Sequence, residues 1–582
     1  MKKFCKLIIA LCLCLGLAAC GSKENQDARF NKGTYTASAD GRNGEVTVTV
    51  TLSDDKIEDV QVEHQETAGI GDVAIEKLVE KTLDTQLIPS DVVSGATITS
   101  GAYLVALSEA MNASGADVKA LTAEESQGTQ SEEVVISDKE YDMVVVGGGA
   151  AGLMASVTGA EAGKDVLVLE KMPYFGGNMK ISAGIIQAAG TSVQEHYGIM
   201  NDTVEQFMKD DLNPDAPYHA EDPVFTRTMY EGCSRMIEEL LDRGMEFVNF
   251  EPVTPRYHIM TPEMYKGGNT LTELLHSQGE EAGAEYLLNA RANQLVTDEN
   301  GAVTGVIADV DGQLTQFNTD AVILCTGGFS SNNELVSRYY PQYAKLRSRA
   351  SVGTTGDGFL MATEIGAGTR GMDTDQQMFF VSADTDTDVP LLLSFSPAIL
   401  VNQKGDRFVN EDINYCLAAR AAALEEGQIG YIVFGEDVRQ NRPEVQGYID
   451  NGAVVEADTL EELAEKMNTA NLVATVAHYN ELVASGADAD FGRVFNFEEC
   501  TSTGKWYGIK VEPAIYNSYG GLATDIEARV LDESGNAIQG LYAAGEVTGS
   551  TEVHEGYYYT TGNGQGLVYG QIAANTAMAD NK

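Results

Sequence analysis

Apolar and polar positions fall into two regimes along the chain. Near the start, Thr34–Ala39, Glu45–Leu52 and Ile57–Glu63 alternate apolar and polar residues, the period of half-buried strands. Gly41 and Asp54-Asp55 mark turns between them, a helix is expected near Gly71–Leu83, and Tyr103–Met111 is helical in pattern. Residues 113–139 are polar, acidic and poor in aromatics, and read as a linker. Beyond them the apolar positions become continuous runs. Met143–Val146 predicts a buried strand, a small-residue helix follows over about Ala150–Ala162, and Val166–Leu169 predicts a second strand ending on Glu170. Alternation gives a small α+β unit, and continuous runs give a parallel sheet with helices on its faces. An Ala/Gly-rich helix, Gly566–Met578, closes the chain.

The turn between the two runs carries chemistry. Gly147, Gly149 and Gly152 stand as G-x-G-x-x-G between strand and helix. The first glycine permits the tight turn, the second lets backbone approach a pyrophosphate, and the third packs helix against strand. The helix start offers N–H groups and positive dipole to the phosphates. Glu170, about 20 residues on, is placed to take the ribose hydroxyls of an adenosine. Strand, glycines, helix, strand and terminal acid within one βαβ unit predict a dinucleotide site.

At 582 residues the chain holds more than one domain. A formal net charge of −49 disfavours nucleic acid and anionic headgroups as partners of the body. Cys233, Cys325, Cys416 and Cys500 are far apart, which argues against zinc, iron–sulfur clusters and a disulfide scaffold, so no metal is expected. Residues 1–20 join a Lys-bearing start to an apolar core too short for an ordinary span, the pattern of an export signal. Leu17-Ala18-Ala19-Cys20 resembles a bacterial lipobox, which implies lipidation of Cys20 and a membrane anchor; residues 21–29 then read as a tether.

Asp91-Val92-Val93-Ser94-Gly95-Ala96-Thr97 resembles the attachment motif of FMN-binding domains. That resemblance implies that residues 30–112 carry FMN, joined by a flavin transferase through a phosphoester. Thr97 matches the modified position, with Thr99 and Ser100 as alternatives. The helical stretch after it is placed to pack beside that flavin.

From Tyr141 onward the chain resembles the flavoprotein family of soluble fumarate reductases, urocanate reductase and related extracytoplasmic enoate reductases. The stretches that carry the likeness are Lys171–Asn178, Ile181–Gly184, Ala188–Thr191, Ala321–Phe329, Thr355–Gly358 and Gly545–Gly549. The resemblance implies an α/β fold: a Rossmann-like FAD domain over 140–378 and 514–582, interrupted by an α+β capping domain over 379–513. It implies non-covalent FAD, held by Gly147, Gly149, Ala151, Gly152, Glu170, Lys171, Gly177, Asn178, Ser182, Ala183, Gly184, Gly327, Asp357, Gly545 and Glu546. It also implies an oxidoreductase acting on CH–CH groups.

The catalytic pattern departs from that family. The family's proton-donor arginine falls four residues after Glu411, at Tyr415. The acid and arginine that feed it fall near Leu391 and Ser394. Its His-Pro-Thr stretch becomes Met378-Phe379-Phe380, and its His-His-Thr-Met-Gly-Gly becomes Tyr516-Asn517-Ser518-Tyr519-Gly520-Gly521. Its carboxylate-clamping arginine falls within Tyr557-Tyr558-Tyr559. A dicarboxylate would lose its hydration without a cationic partner, so fumarate is rejected and urocanate disfavoured. Phe379, Phe380, Tyr516, Asn517, Tyr519 and Tyr558 are expected to line a pocket for a larger, aromatic or neutral unsaturated acceptor, with Tyr415 as the acid. Arg407 reads as an anchor of the local turn, and Arg420 and His554 as candidate polar contacts. Electrons are expected to pass from a membrane or extracellular donor through FMN to FAD, in anaerobic respiration. The competing readings are an FAD dehydrogenase resembling those of ketosteroids, and a lipid-anchored flavin carrier.

Overall fold

The computed structural model describes residues 30–40, 45–64, 71–89, 97–116, 118, 121, 134–211, 222–249, 256–261, 266–373, 376–385, 387–389, 396–413, 415–549 and 562–581. Cys20, Leu391, Ser394, His554 and Tyr557–Tyr559 lie outside them. The chain divides into two units, residues 1–131 and 132–582.

In the first unit, β1 (Gly33–Asp40), β2 (Glu45–Leu52) and β3 (Ile57–Glu63) form an antiparallel sheet in that order. Alternation puts Val46, Val48, Val50 and Leu52 on the inner face. Helices α1 (Gly71–Thr85) and α2 (Thr97–Ala113) cover it. Tyr103, Ala106, Leu107, Ala110 and Met111 of α2 are buried in this core. One face of the stretch after Thr97 is therefore occupied by the sheet, while Val105 on the same helix is 51 % exposed.

The second unit opens with β4 (Val135–Ile136), β5 (Met143–Val146), α3 (Ala150–Glu161) and β6 (Val166–Leu169). Then come β7 (Glu285–Leu287), β8 (Ala290–Thr297), β9 (Val303–Val310), β10 (Gln313–Asn318) and β11 (Val322–Leu324). The cap region holds β12 (Gln376–Ser382), β13 (Ile399–Asn402), α4 (Tyr415–Leu424), β14 (Gly430–Gly435), β15 (Val454–Ala457) and β16 (Trp506–Ser518). The chain ends with β17 (Arg529–Leu531), β18 (Ala537–Ala543) and α5 (Asn563–Asp580).

The nucleotide sheet runs β7-β6-β5-β11-β18-β17, parallel except for β17. Helices α3 and α5 pack on one face at backbone distance: a Cβ on Gly570 would stand 2.2 Å from the Ala151 carbonyl oxygen. A second sheet, β8-β9-β10-β4, lies beside it. Its last strand comes from the stretch expected as linker, where Val135 and Ile136 pair parallel with β10.

The cap sheet runs β12-β16-β14-β13, with β15 also on β16. Strands β12 and β16 continue unbroken through residues 379 and 513, pairing Phe379 with Ala514 and Phe380 with Pro513. Between Gln377–Asn517 and Met378–Ile515 the register slips by one residue. Tyr516 is the extra residue of this bulge, and a bulge re-aims side chains. Before α4, a buried ionic cluster fixes the turn. Arg407 Nη2 lies 2.7 Å from Glu411 and 3.0 Å from Asp488, and Arg493 donates to the carbonyls of Ser396 and Ala398. Arg407 is thus the anchor its sequence context suggested.

Candidate active site

A cleft with a cavity volume of about 210 Å³ runs from the glycine turn after β5 to the bulge in β16. At the turn, Gly147 adopts φ +103°, and a Cβ there would lie 2.4 Å from the Cys325 carbonyl oxygen. A Cβ on Gly149 would stand in open space. Gly152 is outside the lining, and its Cβ would fall 1.8 Å from the Gly147 oxygen, so its smallness serves helix–strand packing. Gly147, Gly149 and Ala151 line the cleft where α3 begins.

Glu170 ends β6 with its carboxylate held in place. The N–H groups of Gly148 and Met172 each donate to it at 2.8 Å. Burial pushes its pKa up, opposed by those two donors. Lys171 extends beside it and donates to Thr355 at 2.6 Å and Asp357 at 2.7 Å. Burial works against the Asp357 charge, yet Lys171 and Arg291 hold its carboxyl below the usual range. Arg291, Ala290 and Ala292 come from β8, which the sequence reading did not connect to this site.

The far end is built of amides around one acid. Asn178 donates through Nδ2 to Glu546 at 2.9 Å and to Asn517 at 3.3 Å, and accepts from the Ser351 N–H at 2.6 Å. Glu546 also accepts from the Ser518 N–H at 3.0 Å, and burial pushes its pKa up to about 7. Asn517 donates to Gln377 at 2.7 Å. Gly177, Ser182, Gly327 and Gly545 complete the expected lining. Gln377, Ser351, Thr354 and Asn563 belong to it without any signal a linear motif carries.

The remaining site expectations fall as follows. Tyr516 and Asn517 line the cleft; Phe379 lies outside the lining and packs behind Tyr516, with ring centroids 4.6 Å apart. Phe380 is a correction: it is 1 % exposed in the cap core, because β12 turns it to the opposite face from Phe379. Tyr519 lines a smaller side cavity beside Glu546 and Gln565. Ala183 and Gly184 lie outside the lining; a Cβ on Gly184 would meet Gly267 backbone at 2.4 Å, so it serves close packing. Tyr415 is the first residue of α4, its side chain outside the described atoms, and Arg420 lies on the same helix. In the first unit Thr97 opens α2, while Thr99 and Ser100 are buried.

This donor set suits FAD. Backbone space opens at Gly149 beside a helix start, a fixed carboxylate stands at the end of the next strand, and a polar wall of amides around Glu546 stands at the far end.

Comparison with known proteins agrees. The FAD binding domain family matches residues 142–564, and the FMN-binding domain family matches residues 41–112. The urocanate reductase of Eggerthella lenta is 31 % identical over 93 % of this chain and 93 % of its own. The NADH:acrylate oxidoreductase of Vibrio harveyi is 29 % identical over 95 % of this chain and 62 % of its own length. Among solved structures, the open conformation of a flavocytochrome c3 fumarate reductase superposes with a TM-score of 0.66 at 30 % identity, covering 79 % of this chain and 81 % of that one.

Proposed function

Because the chain belongs to the FAD binding domain family and carries an FMN-binding domain as well, we propose that it is an extracytoplasmic reductase of an activated C=C bond, with an aromatic or neutral acceptor rather than a dicarboxylate. One observation carries the acceptor class. Among the described residues that line the cleft, Lys171 is the one cation, and Asp357 and Thr355 already engage it. The wall at the other end is Tyr516, Asn517 and Gln377. A dicarboxylate entering there would be stripped of water with no free cation among the described lining residues to balance it.

Bound FAD supplies the hydride. The chain supplies the rest. The bulge holds Tyr516 at the wall, the amides orient the acceptor, and the cap sheet limits water. Tyr415, at the family's donor position, gives the proton to the acceptor α-carbon; a tyrosine phenol ordinarily keeps its proton up to about pH 10 and can donate at neutrality. Thr97 would hold FMN, a choice supported by the burial of the neighbouring hydroxyls of Thr99 and Ser100 away from any transferase. A flavin held there would take electrons from a membrane or extracellular donor and supply them to FAD. Lipidation of Cys20 holds the enzyme at the outer face of the cell membrane.

A screen with reduced viologen over enoates, enones and phenolic styrenes tests the reading. At least one such acceptor should be consumed, with fumarate inert. No turnover on any of them, or dye reduction by saturated substrates only, overturns it. Tyr415→Phe should lose about a hundredfold or more of kcat with FAD retained; full turnover removes Tyr415 from the role.

A further inference from the structure

The amide wall has a direction. The backbone N–H of Ser351 can only donate, so it fixes the Asn178 carbonyl toward itself. Asn178 Nδ2 is thereby turned toward Glu546 and the Asn517 carbonyl. Asn517 must then present its own Nδ2 to Gln377, at 2.7 Å from Oε1. Each link follows from the one before, and the last member is left with its nitrogen outward. Among the described residues no acceptor meets Gln377 Nε2, although Gln377 is 6 % exposed and lines the cleft beside Tyr516. Although most of the side chain is buried, Nε2 itself stays open to the cleft. An arrangement that fixes such a donor at the cleft wall is complementary to an acceptor atom arriving from the cleft.

We propose that the Gln377 carboxamide, aligned by the Ser351–Asn178–Asn517 chain, is the specificity-determining donor that recognises an uncharged carbonyl oxygen conjugated to the reducible C=C bond. This rests on the reading of the chain as a reductase of activated alkenes, and it narrows the acceptor to one whose activating group accepts a hydrogen bond without needing a cation. The bulge is what permits it. Register places Gln377 opposite Asn517, and the slip that follows places Tyr516 against the same cleft.

The test is an equilibrium titration of oxidised enzyme carrying both flavins, followed by flavin absorbance and calorimetry. The probes are benzylideneacetone, a neutral enone, and β-methylstyrene, its counterpart without the carbonyl. The wild-type protein should bind the enone more tightly. Gln377→Leu and the near-isosteric Gln377→Glu should each lower that preference about tenfold, the worth of one such hydrogen bond, with β-methylstyrene affinity held within about threefold in the Leu variant. The FAD midpoint potential should stay put. Absence of any enone preference in the wild-type protein overturns the proposal before a variant is made. So does a preference that survives both substitutions, or variants that shift the FAD potential while leaving the preference intact, which would make Gln377 a flavin ligand. Enone preference that depends on Gln377 without turnover of any alkene would sink the reductase reading and leave this one standing.

Discussion

Among the acids of the cleft, Glu546 gives the most readable pH dependence. Among the described residues Glu546 accepts from the neutral donors Asn178, Ser330 and Ser518, and burial raises its pKa to about 7 from an ordinary value of 4.5. Between those two values the folded chain holds a proton there that the unfolded chain has released. Stability must therefore fall as pH rises across that window, by at most about 3 kcal/mol. Flavin-free protein should lose melting temperature between about pH 5 and pH 7 from this group, and Glu546→Gln should flatten the decline. Thermal melts of both proteins across that range decide it; parallel slopes would place the ionised form in the fold. The family motif around Gly545 marks Glu546 as an expected cofactor residue, but not its raised pKa, which comes from burial and is only partly opposed by donors from Asn178, Ser330 and Ser518 on three other segments.

At the scale of elements, legibility follows sequence distance. The β5–α3–β6 unit is readable because its glycines, apolar runs and terminal acid lie within thirty residues. The turn within it is also its weak point. An alanine at Gly147 would hold an L residue at φ +103°, against the Cys325 carbonyl at 2.4 Å. The conformation alone costs about 1–2 kcal/mol. Gly147→Ala should purify with FAD occupancy reduced several-fold, read from the ratio of flavin to protein absorbance; full occupancy would mean that β11 gives way. The cap sheet was less legible. Gln377 and Asn517 meet from positions 140 apart, and a one-residue slip decides which aromatic faces the cleft. Alternation alone cannot say which of Phe379 and Phe380 is outside, because register depends on a partner strand far away in the chain.

The whole molecule carries two flavins in two units, and each unit has its own core. Thr97→Ala should give a denatured-protein mass without the FMN adduct while the native protein keeps one dissociable FAD; an adduct that persists would move the attachment elsewhere. The composition shift read near residue 113 falls short of the break between the units at 131/132, because Ala116 and Leu121 still pack into the first core. The division inside the second unit was harder to read, since its pieces share a sheet. Strands β12 and β16 pass from the flavin side into the cap without a gap in their pairing. A ladder that crosses the seam leaves no swivel at residues 379 and 513. The roof over the reaction is thus built more like an arch than a door, its strands running on from the walls that carry it.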